Sequence, residues 1–216
     1  MKNLLYKELK LVITPGTYFF AACALLLLVP AYPYFVGVSY TVMSFLINFG
    51  VARDNQDHEF TAMLPVPRNQ IVLAKHLHVL ILEGVTILVA IPAALVSSLL
   101  LNPGGNVVGM DANFAFFGFT LLGYAIFNVI FLPKYFKTGY KVGTPLAVGM
   151  AAYLGFVLGV ELVVNVFPGV KAVIDGLHPV TYVPQFVVLF VGVVFYAVGM
   201  LWSYRLSVKR FDKVSL

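Results

Sequence analysis

Two carboxylates stand inside long apolar runs of this chain, Glu83 and Glu161. An ionised side chain costs about 3 kcal/mol at the centre of a bilayer on insertion scales, so each must face protein or water. Such a group can contact a substrate, carry a proton, gate a passage or join helices through a hydrogen bond. Asn48, Asn128 and Asn165 also lie in apolar runs, where amides commonly bridge helices. With the two glutamates, Asn48 is a candidate for a polar translocation pathway. The remaining reactive residues form no familiar constellation. His76 and His78 point about 200° apart on a helix, which makes a poor metal pair. His58-Glu59 has no second histidine at zinc-protease spacing. No Gly-x-Ser-x-Gly and no Gly-Lys dipeptide occurs, so the chain has no phosphate-binding loop of the nucleotidase type. Cys23 is the one cysteine and can form no internal disulfide.

The elements that must hold these residues follow from composition. The chain of 216 residues is 61% hydrophobic and 11% charged, and its mean hydropathy is +0.94. A soluble domain is nearer a quarter charged. The apolar runs predict an all-α integral membrane protein of one domain, residues 1–216, with six transmembrane helices. These are Thr17–Ala31, Tyr34–Ala52, Asn69–Leu101, Phe114–Leu132, Thr144–Phe167 and Tyr182–Leu206. Pro133 is read as the end of the fourth, and Gly155-x-x-x-Gly159 as a weak close-packing motif on the fifth. Residues Met1 to Thr14 predict an interfacial amphipathic helix with its lysines toward headgroups, broken by Pro15-Gly16. Val170, Val173, Ile174 and Leu177 predict a second amphipathic helix between spans 5 and 6.

All fourteen lysines and arginines except Lys171 fall in the N-terminal segment, two alternate loops and the C-terminal tail. That bias predicts both termini in the cytoplasm. The net charge of +5 thus sets topology and is not a nucleic-acid signal.

The longest polar stretch, Arg53 to Lys75, separates spans 2 and 3. Asp54 and Asp57 suit a helix start. Phe60, Met63 and Leu64 fall at i, i+3 and i+4 and give the helix an apolar stripe, which Pro65 and Pro67 end. Phe60 and Met63 are the anchors expected in a partner's groove. Charged His58, Glu59 and Arg68 are expected at its rim.

The opening M-K-N-L-L-Y-K-E-L-K-L looks like the start of bacterial ABC exporter permeases of the type-2 class. The string L-P-V-P-R-N-Q-I-V-L-A-K, Leu64 to Lys75, is similar to a pattern in a small-permease branch of that class. Within it the chain resembles the membrane subunits of the staphylococcal exporter of phenol-soluble-modulin peptides. The family often has Ser or a similar residue where this chain has Pro67. The resemblance implies a bacterial cell-membrane permease pairing with a second permease and with two copies of a separate ATP-binding subunit. ATP and Mg would sit on that partner, with no cofactor on this chain. It implies that Asp57 to Leu64 is a coupling helix docking on the ATPase, with Asp57, His58, Glu59, Phe60, Met63, Leu64 and Arg68 as its contact residues. The cargo implied is an amphipathic or hydrophobic molecule, such as a peptide toxin or lipophilic drug, moved outward. Two other readings stay open: an intramembrane peptidase-like enzyme using Glu83 with His76 or His78, and an accessory or immunity protein that sequesters a peptide.

Overall fold

The computed structural model describes residues 2–63, 65–139, 141–176 and 179–214. Every regular element among them is helical. The order is α1 (Lys2–Lys7), α2 (Pro15–Ala22), α3 (Tyr34–Asp54), α4 (Asp57–Met63), α5 (Arg68–Val96), α6 (Phe114–Lys137), α7 (Gly143–Val166), α8 (Pro168–Ile174) and α9 (Tyr182–Phe211). A π-turn, Glu8–Val12, prolongs α1, and a 3₁₀ segment, Cys23–Leu28, prolongs α2.

Helices α3, α5, α6, α7 and α9 are each long and apolar enough to cross a membrane. The sixth expected span differs from the others. Stretch Pro15–Leu28 is about 24 Å long at the rises of α and 3₁₀ helix, against roughly 30 Å of hydrocarbon. It reaches spanning length only together with Asn3–Lys10, and the two are bent by 80°. Pro15 causes the bend, since it suits a first helical turn but cannot continue an earlier helix. Thr14 and Thr17 form a reciprocal capping box across it. The described residues therefore hold five helices long and apolar enough to span, or six with the bent pair counted as one.

One other boundary differs from the sequence reading. Pro133 lies inside α6, which runs on to Lys137. A proline removes one backbone hydrogen bond, and here Leu132, Pro133, Tyr135 and Phe136 are all buried in packing that holds the helix together. Helix α5 and its terminal π-turn cover 34 residues, Arg68–Leu101. At 1.5 Å per residue this is about 51 Å, so α5 projects well beyond the apolar layer.

The core is aromatic. Phe45, Phe49, Phe127, Phe131 and Tyr135 stack or meet edge to face across α3 and α6. Helices α6 and α9 approach most closely where glycine faces glycine. A Cβ on Gly118 would stand 2.6 Å from Val188 O, and one on Gly192 would collide with Gly118 O. By contrast, Gly155 and Gly159 have open space where a Cβ would lie, so this chain does not use that motif to pack its own helices. Instead they line an open apolar groove of about 360 Å³ with Phe119, Phe156 and Val163.

Contacts sort the loops into two ends. At one end Lys7 meets Asp57, Arg68 meets the carbonyls of Phe211 and Val214, and Phe136 packs on Phe211. This is the end that gathers the basic segments. At the other, Asn106 donates to Tyr32 O, Met110 N to Glu161, Asp111 N to Asp175, and Asn113 to Ile174 O. Lys171 belongs to this second end and donates to Asn165.

Candidate functional site

Helix α4 is set against the basic end by a sharp two-residue turn, in which Gln56 takes a φ of 51°. The turn reverses the chain so that the two faces of α4 differ. One face is outward: Phe60 is 63% and Met63 83% exposed. Large apolar side chains on a helix at a membrane protein's basic end need a cover, either a partner or the membrane surface. Leu64 and the side chains of His58 and Glu59 lie outside the described residues.

The other face of α4 is polar and turned inward. Asp57 divides its two oxygens between Lys7 at 2.6 Å and Lys75 at 3.4 Å. Lys75 in turn pairs with Glu8 at 2.6 Å, both side chains being only 2% exposed. Lys7 closes the set, 3.3 Å from Glu8 and donating to Thr61 at 2.8 Å. Two lysines and two carboxylates thus alternate with no net charge, which is the arrangement that burial demands. Asp57 therefore faces into the protein, and Lys7 is paired there and is not free for headgroups. Arg68 stays exposed but is engaged at the end of α9. Its guanidinium donates to the carbonyls of Phe211, Asp212 and Val214 and lies over the Phe211 ring. It adds a donor to carbonyls at and just beyond the end of α9.

Glu83 is 1% exposed at the junction of three helices. Asn128 Nδ2 of α6 donates to both its oxygens, at 3.1 and 3.0 Å, and Tyr196 OH of α9 donates at 2.6 Å. About two turns toward the basic end, Ser203 of α9 donates to Asn128 O at 2.8 Å, and His76 Nε2 lies 3.2 Å from the same hydroxyl. His76 Nδ1 donates to Val72 O, while His78 meets the edge of Phe49. The structure thus engages Glu83 and the two histidines with different partners, and the glutamate–histidine set of an enzyme is not brought together. Among the described residues, no group of three His, Cys, Asp or Glu could hold a metal. Asn48 is buried between α3 and α2, accepting from Thr17 OH at 2.5 Å. Glu161 lies at the opposite end, accepting from Met110 N and from Asn165.

At the end opposite the basic one, Asp175 accepts the Asp111 amide at 2.7 Å. Burial, with the neighbouring Asp111 charge adding to it, raises its pKa to about 6, although the amide hydrogen bond and Lys171 pull the other way. Burial also raises the pKa of Asp111.

Sequence reasoning missed Lys7, Glu8, Thr61 and Lys75 as one cluster, and Tyr196 as a partner of Glu83. One signal was available: Lys75 sits in the apolar run I-V-L-A-K-H-L-H, where a lysine needs an acid. Which acid it finds depends on the fold of α1 and α4.

Comparison with curated proteins and with solved structures returns no match. A family model described as ABC-2 family transporter protein matches residues 3–212, which takes in all the spans, α4 and both polar clusters. With several apolar spans, a helix presenting apolar side chains at the basic end and a match over nearly its whole length, this chain belongs to the ABC-2 transporter membrane family.

Proposed function

We propose that this chain is the membrane subunit of an ATP-driven exporter in a bacterial cell membrane, with both termini and α4 in the cytoplasm. Two copies of a separate ATPase bind ATP and Mg and dock on α4. A second permease subunit completes the pathway, and the cargo is an amphipathic or hydrophobic molecule such as a peptide, as in the small-permease branch the sequence resembles. The single observation that carries this reading is the exposure of Phe60 and Met63 on a helix whose opposite face is anchored by buried ion pairs. A helix merely resting on lipid needs no such anchor, whereas one that receives force does.

Phe60 and Met63 are the contact residues; His58, Glu59, Leu64 and the exposed Arg68 complete the surface, and Asp57 holds it from behind. Glu161 is kept as a pathway group. Glu83 and Asn48 become accessible to cargo only when the helices joined around them separate.

The test is to co-express the chain with the ATPase encoded beside its gene, purify the assembly in lipid nanodiscs and measure ATP hydrolysis. A stable complex that hydrolyses ATP is expected. A correctly inserted chain that holds no ATPase would refute the reading.

A further inference from the structure

A buried charge cluster is poor evidence for stability, because desolvating four charges offsets most of their attraction. The one here has a specific placement. It joins three elements: the N-terminal segment through Lys7 and Glu8, α4 through Asp57 and Thr61, and α5, which also packs on the N-terminal segment, through Lys75. Lys75 is the only one of these on a long helix. Eight residues further along α5, about 12 Å at helical rise, stands Glu83, which is bonded to α6 and α9. Near Lys75, His76 reaches the Ser203 hydroxyl that bonds Asn128 O. A continuous set of polar contacts thus runs from the inward face of α4 through one rigid helix into the junction of the bundle. Such chains of paired groups and rigid elements can carry coupling when they have two arrangements.

We propose that Lys75 is a positioning residue for transport. It is the post through which displacement of α4 moves α5 and loosens the Glu83 junction. This rests on α4 being the ATPase-docking helix. Lys75 is buried on the far side of Asp57 from the exposed stripe, so it touches no partner. Its effect passes through Asp57 and Glu8. When the lysine and Glu8 are both made neutral, the Lys7–Asp57 pair still seats α4 on the N-terminal segment, but α5 loses its polar link to α4 and keeps only its packing on that segment.

The experiment uses the nanodisc complex with the ATPase, in a Cys23→Ser background. Spin labels stand at Leu95→Cys near the outer end of α5 and Val183→Cys near that of α9, both largely exposed. Distances are compared between the nucleotide-free and ATP–vanadate-trapped states. Three chains are tested: unaltered, Lys75→Met with Glu8→Gln, and Lys75→Arg. We expect the unaltered chain and Lys75→Arg to change the α5–α9 distance on trapping. The neutral double variant should hydrolyse ATP at a rate within about twofold of the unaltered chain and lose that change. If the double variant fails to fold, Lys75→Gln takes its place. Three results overturn the proposal: a double variant that moves as the unaltered chain does, a folded double variant that no longer holds the ATPase, and an unaltered complex that hydrolyses ATP with no change in this distance. An unaltered chain that never binds the ATPase refutes the exporter reading itself and is seen at purification.

Discussion

Replacing Phe60 and Met63 together by Asp should separate docking from folding. Full burial of a side chain of this kind is worth about 1.5–3 kcal/mol. Phe60 offers 63% of its surface and Met63 83%. Covering those fractions contributes about 1–2 kcal/mol for Phe60 and about 1–2.5 kcal/mol for Met63. The pair together supports about 2–4 kcal/mol, so its loss weakens ATPase binding by roughly 30- to 1000-fold. This is a lower bound, since each new carboxylate would also have to be desolvated in the partner's groove. The fold should be unaffected, because both side chains point away from the protein and removing them opens no cavity. The assay is a titration of purified ATPase onto the chain in nanodiscs, read by biolayer interferometry. Val107→Asp, largely exposed in the opposite-end loop, is the control and should bind normally. A correctly inserted double variant that loses less than about fivefold in affinity would show that α4 is covered by lipid and that the docking argument is wrong.

Gly192→Ala should lower thermal stability in detergent by about 1–3 kcal/mol through overpacking, because its methyl meets the Gly118 carbonyl. Gly159→Ala, with open space around it, should change nothing, and equal midpoints for the two would refute the crossing geometry. Glu83→Ala strands the Asn128 amide and the Tyr196 hydroxyl, each worth about 1–3 kcal/mol when unpaired. Its melting midpoint should fall below that of Glu83→Gln, which keeps one acceptor; the reverse order would exclude the junction. The folded pKa of Asp175 is raised to about 6 from 3.8, so the folded state gains relative stability as pH falls from 7 through 6 toward 4. Protection of the α8 amides, taken relative to the intrinsic exchange rate at each pH, should therefore rise as pH falls over that window in the unaltered chain, and Asp175→Asn should show no such slope.

Membrane character, the positions of five spans and the division of loops by charge were legible without coordinates. Hydrocarbon thickness and the cost of burying charge act on local composition, which a sequence displays directly. The short helix Asp57–Met63 was legible as well, because its apolar spacing and flanking prolines are local features. The bent N-terminal pair was only partly legible: the Pro15 break can be read, but the 80° angle is set by what each half packs against. Pro133 misled, since burial of its neighbours outweighed one missing hydrogen bond. The charge cluster was invisible because its paired members lie up to 67 positions apart. Nothing in a linear pattern says which acid a buried lysine will find. In the same way Asp57 read as a surface charge, and only the packing of α1 and α5 turned it inward. The type of each element is a property of neighbouring residues, whereas the pairing of charges across elements is decided by tertiary packing, through the need to neutralise what is taken out of water.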